Sequence, residues 1–101
     1  MKVKTPAIGG ICQSTQGRDK GKYYLIKAIY TDGTVGVVDG NFKKLVSPKR
    51  KNLKHLHLLP EKAEVIAAKL EEGRQVFDTE VYSALKTYNN PQLNNTEDGK
   101  E

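Results

Sequence analysis

Two glycines four residues apart, followed at once by a long β-rich run, restrict what this chain can fold into. Gly17 and Gly21 bracket three charged residues, Arg18, Asp19 and Lys20. Glycine adopts positive φ and lets another backbone approach closely, while arginine and lysine supply hydrogen-bond donors. This segment is therefore predicted to be a tight surface loop that places flexible backbone and positive charge at one point.

The residues that leave this loop predict the central strand of a sheet. Residues 22–30 are rich in aromatic and branched side chains on both faces of the strand, which indicates cover on both sides. Further short strands are predicted at residues 8–13, 34–38, 42–46 and 53–58. Gly9-Gly10 indicates a bend or bulge in the first strand, and Asp32-Gly33 predicts a type I′ hairpin turn.

The spacing of apolar residues changes after Pro60. Helical spacing (i, i+3, i+4, i+7) relates Ala63, Ile66, Ala67 and Leu70. Gly73 is placed to end this helix, and Asp78 to act as N-cap of a second one. The apolar stripe of the second helix consists of Val81, Leu85 and Tyr88. The predicted fold is a small β-barrel over residues 1–60, two short α-helices over 61–90 that pack on it, and a disordered acidic tail over 91–101.

The charge is divided along the chain. Through residue 60 there are 12 Lys or Arg and 3 Asp, a net charge of +9, whereas residues 61–101 contain 5 basic and 9 acidic side chains, a net charge of −4. One basic and one acidic half indicate that one surface meets a polyanion, for which nucleic acid is the leading candidate. With no apolar run of membrane-spanning length and no signal-peptide pattern, we expect a cytoplasmic protein that contacts no membrane.

The basic residues cluster in three segments. A loop opened by Pro48 is predicted to carry Lys49, Arg50, Lys51 and Asn52, followed by Lys54 and His55. The four cations repel one another unless a polyanion neutralises them, and Asn52 can contact a base edge or a 2′-hydroxyl. His55 can also reach phosphate. The other two segments contribute Arg18, Lys20 and Lys22 from the glycine loop, and Lys43 and Lys44 from the predicted fourth strand.

Catalysis and metal binding have no sequence support. Cys12 is the single cysteine and lies in an apolar strand, where it is expected to be a small core filler. His55 and His57 have no third ligand at useful spacing, so neither a metal site nor a cofactor is expected. No nucleophile motif and no paired carboxylates occur. The sequence predicts a protein that is not an enzyme.

A family resemblance joins these segments. Gly10-Ile11, the loop 17–21, the apolar strand after it, Asp39-Gly40 and the run from Pro48 to Leu56 resemble the KOW motif of small bacterial proteins related to eukaryotic and archaeal large-subunit ribosomal proteins. The resemblance covers residues 8–59. It implies an SH3-like barrel that binds structured RNA, specifically ribosomal RNA, beside ribosomal proteins. The protein would be a ribosomal or ribosome-associated component of the translation apparatus. Separately, we expect it to be a monomer when free.

Two other functions are compatible with such a barrel. SH3-like barrels also serve as protein-interaction modules in transcription or translation complexes, and an aromatic groove would favour that function. A DNA-binding role is weaker, because both predicted helices are acidic and neither resembles a recognition helix. The basic segments favour RNA.

Overall fold

An antiparallel sheet followed by two helices forms the described part of the chain. The computed structural model describes residues 5–90, within which there are five strands and two α-helices. The predicted order of a β part followed by two helices is confirmed. The elements are β1 (Gly10–Ser14), β2 (Tyr23–Ile29), β3 (Thr34–Val38), β4 (Lys49–Asn52), a 3-10 turn (Leu53–His55), β5 (Leu56–Lys62), α1 (Glu64–Glu71) and α2 (Asp78–Asn89).

The sheet is strongly curved. Its strand order is β4-β3-β2-β1-β5, all neighbours being antiparallel. In a flat sheet β4 and β1 would lie roughly 14 Å apart, which is three strand spacings and more than two side chains span. The Lys51 ammonium on β4 nevertheless lies 3.1 Å from the Ser14 hydroxyl on β1. The β1–β5 pairing shifts register between Gly10 and Cys12, next to the bend or bulge predicted at Gly9-Gly10. Such a shift bends the strand and adds to the curvature.

Strand β2 is buried on both faces, as predicted, and separates two apolar cores. On one face Leu25 pairs with Ile11 and Val38, and the two helices cover this layer through Ile66, Val81 and Leu85. The concave face encloses the second core, which consists of Cys12, Tyr24, Ile26, Val35, Val37 and Leu56. The alternation of side chains along a strand assigns neighbouring residues to different cores.

The helix ends differ slightly from the prediction. Gly73 follows α1 with φ +74°, as expected of a C-terminal glycine. The N-cap of α2 is Phe77 and not Asp78, and the Glu80 carboxylate accepts the Phe77 N–H. Asp78 is the first helical residue, and its carboxylate accepts the Leu45 N–H at 2.8 Å. Asp78 thus ties the 39–48 loop to the helix. Neither helix among residues 5–90 has the length and apolar character needed to cross a membrane.

Two strand predictions and one loop prediction are wrong. Residues 42–46 form no strand, because the Asp39 carboxylate accepts the N–H groups of Asn41 and Lys43 and folds this segment into a loop. The predicted basic loop is instead strand β4, paired with β3 from Thr34↔Asn52 to Val37↔Lys49. The predicted fifth strand divides into the 3-10 turn and β5.

The β2–β3 hairpin is present but has a different turn. Tyr30 N–H donates to the Thr34 carbonyl at 3.0 Å, which leaves residues 31–33 as a three-residue loop. Positive φ occurs at Gly33 and at no residue other than glycine within residues 5–90, whereas a type I′ turn needs it at two central positions. The predicted disordered tail, residues 91–101, lies outside the described residues, as do residues 1–4.

Candidate functional site

The glycine loop between β1 and β2 is closed by backbone hydrogen bonds. Ser14 N–H donates to the Lys22 carbonyl at 2.9 Å, and Gly21 N–H donates to the Ser14 carbonyl at 2.8 Å. Gly17 and Gly21 have φ of +89° and +93°, so both positions need glycine as predicted. The loop is a fixed hairpin end from which side chains project at defined positions.

A polar cluster anchors the loop from inside. The Asp19 carboxylate accepts hydrogen bonds from the Ser14 hydroxyl at 2.8 Å, the Tyr24 hydroxyl at 2.7 Å and the Lys51 ammonium at 3.1 Å. Burial alone would raise the pKa of Asp19, but these hydrogen bonds and the Lys51 charge outweigh it and hold the pKa well below its usual range. Asp19 therefore points inward, while its neighbours Arg18 and Lys20 remain exposed.

A second buried carboxylate organises the 39–48 loop. Asp39, 3% exposed, accepts the Asn41 and Lys43 N–H groups at 2.8 and 2.7 Å through one oxygen, and its other oxygen pairs with the Lys22 ammonium. Burial acts to raise the pKa of Asp39, but the ion pair with Lys22 and the two N–H groups outweigh it, so the pKa lies below its usual value. The Lys22 ammonium also lies 4.9 Å from the centre of the Phe42 ring.

These two anchors create a groove with basic walls, which we call the basic groove. It has a volume of about 410 Å³ and lies between the glycine loop, the 39–48 loop and β4. Its basic lining residues are Arg18, Lys22, Lys43, Lys49 and Lys51. Lys22 and Lys51 are paired with Asp39 and Asp19, whereas the ion pairs formed within residues 5–90 do not involve Arg18, Lys43 or Lys49. The groove therefore carries an uncompensated positive charge.

The other predicted binding residues lie elsewhere. Strand alternation turns Arg50 to the opposite side of β4, where it contacts Asp32 and Thr34 and lies 4.0 Å from the centre of the Tyr30 ring. Asn52 accepts the Lys54 N–H and caps the 3-10 turn. The remaining residues of the predicted set do not line the basic groove: Lys20, Lys44, Lys54 and His55.

Lys51 is buried and paired, unlike the exposed cation expected in a basic loop. It is 9% exposed, and its ammonium donates to Ser14 and Asp19 at 3.1 Å each. The sequence places it among three other cations and does not reveal its partner, which lies 32 residues earlier. Its first role is to fix the glycine loop against β4, and it contributes charge only at the floor of the groove.

The aromatic residues separate into core and surface. Tyr24 is buried, and burial together with its hydrogen bond to Asp19 raises its pKa. Tyr23 packs against Tyr88 with ring centres 5.1 Å apart. Sequence reasoning missed Phe42, which is 76% exposed at the rim of the basic groove. The Asp39-Gly40-Asn41 turn signal before it could have indicated a loop.

Cys12 is a buried thiol, and the described residues contain no group of metal ligands. Cys12 is fully buried, and burial raises the pKa of its thiol to about 12, partly opposed by the charge of Lys51. A thiol with so high a pKa is a poor nucleophile at neutral pH. Within residues 5–90, no three His, Cys, Asp or Glu side chains come together as a metal site would require.

No protein-family model matches the chain. The resemblance to KOW proteins therefore rests on sequence segments alone: Gly10-Ile11, the glycine loop, the strand that follows it, Asp39-Gly40 and the run from Pro48 to Leu56.

Proposed function

We propose that the protein binds structured RNA through the basic groove. The observation that carries the proposal is the convergence of basic side chains from three separate segments, the glycine loop, the 39–48 loop and β4, on one groove. Such a surface is held in place before any ligand arrives, because Asp19 and Asp39 fix the loops on either side.

Phosphate is the ligand chemistry that fits this groove. Arg18, Lys43 and Lys49 repel one another, and a polyanion would relieve this repulsion and release its own counterions. The ammonium and guanidinium groups supply donors suited to phosphate oxygens. A groove bordered by loops rather than a helix fits RNA, whose helices are recognised largely through shape, phosphate and 2′-hydroxyl contacts.

The resemblance to KOW proteins supports a more specific proposal. The strong curvature of the sheet, with β4 in contact with β1, is compatible with a small SH3-like barrel of the KOW type. On this basis we propose ribosomal RNA as the target and a ribosomal or ribosome-associated role. Sedimentation of the tagged protein in a lysate tests this: it should migrate with the large ribosomal subunit at low salt. Recovery only at the top of the gradient at every salt concentration would contradict it.

The RNA proposal itself is tested with purified protein and a structured RNA. A groove variant replaces Arg18, Lys43 and Lys49 with Gln. A matched control makes the same change at three exposed lysines outside the groove: Lys44, Lys54 and Lys62. A duplex phosphate contact contributes roughly fivefold in affinity at 150 mM salt, so the groove variant should bind roughly 100-fold more weakly. Equal losses in both variants would show that the groove is not the binding surface.

Both variants retain Lys51. Its replacement by Glu would put a second carboxylate beside Asp19 and displace the glycine loop, so lost binding would report a damaged fold rather than a lost RNA contact.

A protein-interaction module is the second candidate. Val46 and Phe77 are 90% and 56% exposed, and each is next in the chain to one partner of the Leu45–Asp78 hydrogen bond, so they lie on adjoining parts of the surface. Exposed apolar side chains that adjoin one another are a feature of protein-interaction sites. Such a partner would tolerate the groove variant and would be lost when Val46 and Phe77 are both replaced by Ser. Retained binding of partner and lost binding of RNA in the groove variant would separate the two functions.

A further inference from the structure

We propose that Phe42 is a stacking platform for an unpaired nucleotide whose phosphate occupies the basic groove. This inference rests on the proposed function and refines it, because shape recognition of a helix needs no exposed aromatic ring. It assigns an unpaired nucleotide of RNA, within a loop, bulge or single strand, as the ligand of this part of the surface.

The exposure of Phe42 is built into the fold. Its ring is 76% exposed, yet the residues on both sides of it are fixed, since the Asn41 and Lys43 N–H groups donate to the buried Asp39 carboxylate. Two residues later, Leu45 is buried and its N–H donates to Asp78. An apolar ring held out by a rigid backbone keeps its apolar surface in water, and a stacked base would remove that surface from water.

A ring with a cation on one side suits an aromatic ligand on the other. The Lys22 ammonium lies 4.9 Å from the centre of the Phe42 ring, within cation–π range, and is itself held by Asp39. The large exposed fraction of Phe42 therefore belongs to the opposite face and the ring edge. Bases stack on such faces without regard to sequence.

Phe42 separates two grooves of complementary chemistry. The basic groove lies on one side, and a cleft of about 450 Å³ lies on the other. Besides Phe42 and Lys22, the cleft is lined by the α2 side chains Tyr82, Leu85 and Lys86, and by amides including Asn41 and Asn90. Amide groups pair with base edges, and lysines bind phosphate. A nucleotide matches this arrangement, because its phosphate fits the basic groove and the edge of its base fits the amide-lined cleft.

The chain permits a direct spectroscopic test, because it contains no Trp and only two Phe, Phe42 and Phe77. Phe42→Trp keeps a stacking surface and introduces a single tryptophan, which can be excited apart from the five tyrosines. Phe77→Trp places the same fluorophore at an exposed site outside both grooves. Three probes are titrated at equal phosphate concentration: a single-stranded oligouridylate, a blunt RNA duplex and inorganic polyphosphate. An acidic peptide that contains aromatic residues is titrated separately. Binding is measured in parallel by fluorescence anisotropy of labelled RNA.

The expected result is quenching of Phe42→Trp by oligouridylate, with little change from duplex or polyphosphate and none in Phe77→Trp. In the same assay Phe42→Ala should weaken oligouridylate binding about 5- to 150-fold, the range for loss of one stacked base. Phe77→Ala should leave it unchanged. Both variants should keep the wild-type melting temperature within a few degrees, since both side chains are largely exposed.

Each other outcome overturns the inference and identifies the level at which it fails. If single-stranded and duplex RNA bind equally and neither quenches Phe42→Trp, stacking is wrong while RNA binding stands. If no RNA binds the wild type, the proposed function fails together with the inference. If polyphosphate quenches as strongly as oligouridylate, the signal reports charge near Lys22 and no base contact. If an aromatic acidic peptide quenches and RNA does not, the site belongs to a protein partner.

Discussion

At the scale of single residues, the Asp19–Lys51 pair decides where the glycine loop lies. Its side chains are 18% and 10% exposed, and the carboxylate also accepts hydrogen bonds from Ser14 and Tyr24. Forming a buried pair gains little net energy because both charges lose water, but removing one partner leaves the other charge unsatisfied. Each member is therefore expected to be costly to replace alone.

A double-mutant cycle measures this coupling. Asp19→Asn and Lys51→Met should each lower the free energy of unfolding by about 2 to 4 kcal/mol, and the double variant by at least about 1 kcal/mol less than their sum. Lys49→Met is the matched control on the same strand and should change stability by less than about 1 kcal/mol. Urea denaturation provides the values. Additive losses would show that the two charges do not stabilise each other.

The same carboxylate predicts how stability depends on pH. The pKa of Asp19 is lower in the folded chain than the ordinary value of about 4, so its ionised form stabilises the fold. That contribution is complete above about pH 4 and is lost as the pH falls through the folded value. The free energy of unfolding should fall on acidification below about pH 4, and less steeply in Asp19→Asn. Parallel curves for the two proteins would exclude this role for Asp19.

At the scale of elements, the end of α2 is hydrogen-bonded to the first residue of β2. The Asn89 amide accepts the Tyr23 N–H at 2.8 Å and donates to the Tyr23 carbonyl at 3.1 Å, so one side chain pairs both backbone groups. This contact fixes the helix beside the strand that leaves the glycine loop. The helix in turn holds the 39–48 loop through Asp78, so α2 positions both loops of the basic groove.

Replacement of Asn89 should therefore destabilise the fold. Asn89→Leu leaves the Tyr23 N–H and carbonyl without partners at a half-buried site, at a cost of about 1 to 3 kcal/mol. Asn90→Ala, one residue later, is the control and should cost less than about 0.5 kcal/mol. Chemical denaturation compares the two. A loss of equal size in both variants would assign the effect to the helix end in general.

The elements that could be predicted from sequence are those with a clear period. Strand β3 lies where it was predicted, and β2 and both helices lie within a few residues, because apolar alternation or helical spacing marks them. Strand β4 was missed because its residues, Lys49–Asn52, are polar and weak strand formers, and β3 supplies the pairing. Residues 42–46 were misassigned because Phe42, Leu45 and Val46 favour a strand locally, and the sequence carries no sign of the Asp39 hydrogen bonds that fold this segment into a loop.

At the scale of the whole molecule, the fold places charges that are distant in sequence around one groove. Of the residues predicted to bind RNA, the groove collects Arg18, Lys22, Lys43, Lys49 and Lys51 and leaves the others outside. Residue types and strand direction are readable from the sequence. Which cation is neutralised by a carboxylate depends on tertiary pairing, and the sequence did not indicate that Lys22 and Lys51 have such partners.

The salt dependence of RNA binding tests the basic groove most directly. Binding of a structured RNA is measured from 50 to 400 mM salt for the wild type, Lys49→Gln and, as control, the exposed Lys54→Gln. Each phosphate contact contributes about 0.9 to the slope of log affinity against log salt, so three uncompensated cations give a wild-type slope of about −3. We expect Lys49→Gln to reduce the magnitude of the slope by about one and Lys54→Gln to leave it unchanged. A slope near zero, or one that Lys49→Gln does not alter, would contradict phosphate binding in this groove.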